Sequence, residues 1–194
     1  MMQMGGRTPS MPAMTAMTLD VLSGGRFILG VGPSGPQVIE GWYGELYGKP
    51  LTRTREYIAI IRQILKREAP LEFHGEYYDI PNTGPGSTGL GKPLKSILHC
   101  NPDIPIYTGT IAPAGVRTAA EVADGMFPVF MNPERFGLFA EPLAQGFAKS
   151  TRGNALGRFE IAPLVQICID DDLEKARLPV KQMLGLYIGG MGAR

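Results

Sequence analysis

Only two of the 194 residues are cysteine and only two are histidine. Cys100 and Cys168 are too few for a disulfide framework, which fits a reducing cytoplasm as the expected location. His99 adjoins Cys100, but His74 and Cys168 stand far off in sequence, and nothing has the close spacing of converging metal ligands. No metal is expected. No apolar run reaches roughly 18 residues, so no membrane-spanning helix and no membrane partner are expected. The start, Met1-Met2-Gln3-Met4-Gly5-Gly6-Arg7, lacks a basic stretch followed by an apolar one and does not read as a secretory signal. A dominant charge is missing too, since 19 Lys and Arg against 18 Asp and Glu leave a net charge of +1. Nucleic acid rewards a dense basic field, so it is not an expected partner either.

Glycine, proline and methionine are plentiful, at 26, 17 and 10 residues. The glycines and prolines gather at the ends of apolar runs, which points to many tight junctions between strands and helices. With 44% hydrophobic and 19% charged residues the chain reads as globular. Its length supports one sizeable core and is short for two domains, so residues 1–194 are expected to form a single domain.

The order of elements is legible from periodicity. Thr8-Pro9 or Ser10 starts a helix running to about Leu22, stopped by Ser23-Gly24-Gly25. Arg26–Gly32 follows as a nearly all-apolar strand, the pattern of a parallel strand buried on both faces. A helix spans about Arg53 to Arg67, with Tyr57, Ile58, Ile61, Ile64 and Leu65 at helical spacing. Leu71–Ile80 reads as a hairpin turning near Gly75, and residues 81–103 as an irregular excursion, so that about 71–103 forms an insertion. Strand Ile104–Thr108, helix Ala114–Ala123 and strand Met126–Phe130 come next. Asn132-Pro133 caps a helix carrying Phe136, Phe139, Leu143 and Phe147, bent at Pro142. A strand within Phe159–Ile169 and a helix capped by Asp170-Asp171-Asp172 complete the chain.

About four strands alternate with about five helices, which predicts right-handed crossovers and a parallel sheet. The strands end in Gly, Thr or Asn and no dinucleotide fingerprint opens the chain, which favours a (β/α)8 barrel over a doubly wound sheet. A barrel needs eight strands and roughly 250 residues. The expected fold is therefore α/β, an incomplete (β/α)8 TIM barrel that retains about four parallel strands. Ile104–Ala114 is its most informative stretch, a strand breaking at Gly109 into a helix with Pro113 in the first turn. Free backbone N–H groups and the positive end of a helix meet there, which suits a phosphate.

Several separated blocks then carry a family resemblance. Leu22–Gly32, Pro50-Leu51-x-Arg53-Thr54-Arg55-Glu56-Tyr57, Pro105-Ile106-Tyr107 and Ala119-Ala120-Glu121-x-Ala123-Asp124-Gly125 occur in an order that resembles the bacterial-luciferase-like superfamily. Ser34–Gly44 and Gly89–Lys95 look like its F420-dependent oxidoreductase branch. The resemblance implies a barrel that holds coenzyme F420, or FMN in other branches, at the carboxyl mouth of its strands. It implies hydride transfer between the deazaflavin and a small organic substrate. The alternatives are an FMN-dependent monooxygenase, or an inactive barrel fragment that needs a partner. On the family pattern Gly32, Pro33 and Ser34 lie near the cofactor ring, and Gly109, Thr110, Ile111 and Ala112 match the phosphate-binding turn. Relatives carry three further βα units before the region matching Met1 and an eighth strand after Arg194. Truncation at both ends is thus expected, with self-association or missing barrel segments to cover the exposed edges.

No catalytic residue is transferred. Gly30, Gly32, Gly35 and Gly41 either let a flat ring approach the backbone or turn the chain. Trp42 and Tyr43 are pocket or core aromatics, and Glu40 a polar contact or a solvated carboxylate. Arg117, Lys92 and Lys95 are candidates for an anionic tail, or surface charges. His74 and His99 are weak acid–base candidates.

Overall fold

Leu29, Val31, Ile106 and Met126 are fully buried, while Gly30, Gly32 and Gly109 alternate with them along the strands. Successive strand residues point to opposite faces, so one face of the sheet packs against helices, and the other combines these glycines with Tyr107, Phe127 and Glu160. In the computed structural model, which describes residues 1–190, strand β1 (Met2–Gln3) leads to helix α1 (Ser10–Ser23) and strand β2 (Leu29–Gly32). A short α2 (Pro36–Ile39) precedes the long α3 (Pro50–Lys66), and a hairpin pairs β3 (Phe73–His74) with β4 (Asp79–Ile80). Next come β5 (Ile106–Gly109), α4 (Pro113–Val122) and β6 (Gly125–Phe127). Helix α5 (Gly137–Phe147), β7 (Glu160–Ile161) and α6 (Leu173–Gly185) follow.

The five-stranded sheet has the order β1-β2-β5-β6-β7, and every neighbouring pair is parallel. This is an α/β architecture of the incomplete-barrel kind, with helices flanking a parallel sheet. Sequence periodicity predicts about four such strands and misses β1, because two residues are too few to show a period of two. Within Phe159–Ile169 the strand is confined to Glu160–Ile161. Helix α5 contains Pro142 and carries on to Phe147.

Two compact units are present, Met1–Pro163 and Leu164–Arg194. In the second, Asp172 Oδ1 caps α6 by accepting the N–H groups of Glu174 at 2.9 Å and Lys175 at 3.4 Å. Val165, Ile167 and Ile169 are strongly exposed.

The first unit owes its order to α3. Tyr57, Ile58, Ile61, Ile64 and Leu65 are buried against α1, β2 and β5, as their spacing predicts. Each contributes about 1.5–3 kcal/mol by leaving water. Charged residues of the same helix fasten its surroundings. Arg55 donates to Glu121 Oε2 at 2.8 and 3.0 Å and to Thr118 Oγ1 at 3.1 Å, joining α3 to α4. The Glu56 carboxylate accepts the N–H groups of Glu76, Tyr77 and Tyr78 at 2.7, 2.9 and 3.3 Å, which holds the hairpin. Arg62 donates to Ile104 O at 2.8 Å and pairs with Asp124, whose Oδ2 also accepts the Ile106 N–H at 2.8 Å. Burial pushes the Arg62 pKa down, and the adjacent Asp124 carboxylate opposes that shift. A second cluster packs Val116, Ala119 and Ala120 of α4 on Phe139 and Leu143 of α5.

Candidate functional site

Strands β2 and β5 are neighbours in register, with Gly30 opposite Tyr107 and Val31 opposite Thr108. Their carboxyl ends therefore bring Gly32-Pro33-Ser34 beside Gly109-Thr110-Ile111-Ala112. The backbone departs from regular strand there. Ser34 takes a positive φ of 60°, and Phe130 beyond β6 takes 55°, conformations that L side chains adopt at a cost.

Two features make this end of the sheet receptive. The first is the start of α4, where Pro113 lacks an N–H and no side chain caps the helix. Its first-turn N–H groups and the positive end of the helix dipole face outward from the turn. The second is the wall formed by Gly30, Gly32 and Gly109. A Cβ at Gly109 would lie 2.4 Å from Met1 Sδ, and one at Gly32 would lie 3.1 Å from it. The Met1 side chain thus lies flat on bare main chain that any other residue would obstruct. Gly35 and Gly41 do different work. Gly35 precedes α2, and a Cβ at Gly41 would meet Gln37 O at 2.5 Å, so both serve the turn of the chain.

Polar contacts fix the loop after β2. Tyr47 Oη donates to Ser34 O at 3.2 Å, and Glu40 Oε1 accepts the Tyr47 N–H at 3.3 Å. Tyr43 Oη bonds to Gln3 Oε1 of β1. Trp42 is 83% exposed, so it is neither core nor pocket wall here. On the glycine face, one residue pair further down, Tyr107 donates to Glu160. Burial, then that carboxylate, push the Tyr107 pKa up, and the phenol stays protonated at neutral pH.

Other candidates lie elsewhere. Arg117 Nη1 donates to Gln145 Oε1 at 2.9 Å, which turns it towards α5. Lys92 lines a cavity with Gln63, Ala69 and Pro70, near the carboxyl end of α3. The amino end of α3 is the one beside Gly32 and Gly109, since Leu51 and Thr54 line a small crevice with them. Lys92 is therefore at the opposite end from the mouth. Leu94 O accepts the Leu71 N–H at 2.8 Å, which places Lys95 with it. The excursion does not bring these lysines over the turn, because Arg67 ties Ser96 O at 2.7 Å and His99 Nδ1 at 3.0 Å. His74 Nδ1 bonds to Asp79 Oδ1 at 2.6 Å in the hairpin, away from the site.

Sequence reasoning missed Met1, Gln3 and the hydroxyls of Thr54, Thr108 and Thr118. Only the alternation of Thr108 with Tyr107 and Gly109 signals that its side chain faces α3 and α4.

Comparison with known proteins accords with this geometry. The sequence profile of the luciferase-like monooxygenase family matches residues 1–191. A protein of Mycobacterium tuberculosis provisionally named a coenzyme F420-dependent oxidoreductase is 50% identical over 192 residues, covering 98% of this chain and 55% of the relative. The 5,10-methylenetetrahydromethanopterin reductase of Archaeoglobus fulgidus is 30% identical, covering 94% and 50%. The structure of the coenzyme F420-dependent tetrahydromethanopterin reductase of Methanopyrus kandleri superposes with a TM-score of 0.76 at 26% identity, covering 95% of this chain and 53% of that one. The chain spans about half the length of the curated relatives it matches.

Proposed function

This chain belongs to the luciferase-like monooxygenase family, and from that membership we propose that it supplies the cofactor-holding wall of an F420-dependent oxidoreductase. The observation that carries the reading is the run of Gly30, Gly32 and Gly109, which bring no side chains of their own to the surface that Met1 now covers, beside the uncapped start of α4. A flat, anionic-tailed cofactor fits that pairing, since a Cβ would fill the cradle and an anion is favoured at a helix N-terminus. Gly32, Pro33 and Ser34 would border the ring, and Gly109, Thr110, Ile111 and Ala112 would meet the phosphate through main-chain N–H groups. When bound, F420 supplies hydride transfer to or from an organic substrate. The chain's own part is to bind, orient and exclude water.

The test is a titration of the 194-residue chain with F420, read by fluorescence quenching. Saturable quenching is expected, without turnover of substrate. Gly109→Val should weaken binding at least tenfold, about 1.4 kcal/mol, with little change in stability, because the side chain it meets is the flexible Met1. Binding of FMN in place of F420 would overturn the assignment.

Among the described residues the outer sides of β1 and β7 pair with no further strand, and unpaired edges invite further chains. The isolated chain is therefore expected to associate, and light scattering after size exclusion should give a mass above 21.0 kDa. A uniform monomer at about 100 μM, well within the aggregation-prone range, would overturn this.

A further inference from the structure

We propose that the crevice behind the β5–α4 turn holds one internal water molecule bonded to Thr108 Oγ1. Thr108 is only 4% exposed, and its hydroxyl is among the few buried polar atoms of the described residues with no hydrogen-bond partner. Native structures rarely leave such a group unsatisfied. The same residue lines a crevice of about 20 Å³, together with Thr54, Thr118, Gly32, Gly109 and Thr110. A water needs roughly 10–15 Å³ on this measure and two to four polar neighbours. The space admits one water and excludes a phosphate or any ring.

The neighbouring hydroxyls say how it is held. Thr54 Oγ1 donates to Pro50 O at 2.8 Å, which leaves its lone pairs free to accept. Thr118 Oγ1 donates to Ala114 O at 3.0 Å and already accepts from Arg55 at 3.1 Å, so it has less to offer. The water accepts from Thr108 and donates to Thr54, which links β5 to the first turns of α3. A cation is disfavoured there, because the positive start of α4 and the Arg55 guanidinium lie beside the same space. The Thr108 hydroxyl is on the helix side of the sheet, the opposite face from the glycine wall, although Gly32, Gly109 and Thr110 border the crevice as well.

Crystal structures of the chain and of its Thr108→Val and Thr108→Ser variants would test this. One ordered oxygen within hydrogen-bonding reach of both Thr108 and Thr54 is expected in the parent and the serine variant, and none in the valine variant. An empty crevice, a Thr108 hydroxyl turned onto a main-chain carbonyl, or a peak unaltered by valine would overturn the proposal. Unfolding equilibria of Thr54→Val, Thr108→Val and the double variant give an independent reading. Coupling of at least about threefold in the unfolding constant is expected, and strict additivity would count against the bridge.

Discussion

Replacing Asp124 with alanine should cost the chain about 3–5 kcal/mol, the range for removing one partner of a buried ion pair. The Arg62 side chain is only 9% exposed and Asp124 is the carboxylate it meets. Removing it strands a cation in the interior and also frees the Ile106 N–H, which Asp124 Oδ2 accepts at 2.8 Å. Arg152 loses a partner at 3.3 Å as well. Against a total stability of about 5–15 kcal/mol, that loss is close to unfolding. Urea denaturation followed by circular dichroism would measure it. Asp124→Asn keeps an acceptor for the Ile106 N–H and should lose less. An alanine variant with the parent's midpoint would show that Arg62 finds another partner.

Gly146→Ala carries the second large effect, and its sign is the test. In an unobstructed helix alanine stabilises relative to glycine by roughly 0.5–1 kcal/mol. At Gly146 of α5 the added Cβ would stand 2.3 Å from Arg117 O and 2.5 Å from Ala120 Cβ of α4. The first is main chain and has no rotamer to yield, so the two helices must separate. Overpacking of this kind costs about 1–3 kcal/mol. A thermal melt should therefore show a lower midpoint, and a higher one would mean that the helices have room.

Sequence and structure divide the information unevenly. Helix α3 was legible because Ile58, Ile61 and Leu65 repeat at helical spacing, and burial against a sheet follows from that repeat. The turn after β5 was legible because Gly109 and Pro113 bracket it. What periodicity leaves out is who meets whom. The blocks Arg53–Tyr57 and Ala119–Gly125 carry the family resemblance, yet only the fold reveals that Arg55 pairs with Glu121. The end of the sheet served by residues 81–103 is equally invisible, since a glycine-rich segment records no direction. Hence Lys92 lies by Gln63 and Pro70 rather than at the mouth. Strand β1 left too short a trace to read.

The glycine wall has a consequence for selectivity. On that face Gly30, Gly32 and Gly109 contribute main chain only, and the side chains the sheet itself offers are the paired rings of Tyr107 and Phe127, whose centroids lie 5.2 Å apart. Under the proposed function, discrimination would fall to those two rings and to the loops that overlook them, the segment from Pro33 to Tyr47 and the turn from Gly109 to Ala112. Such a preference would drift with loop composition while the strands beneath stay unaltered.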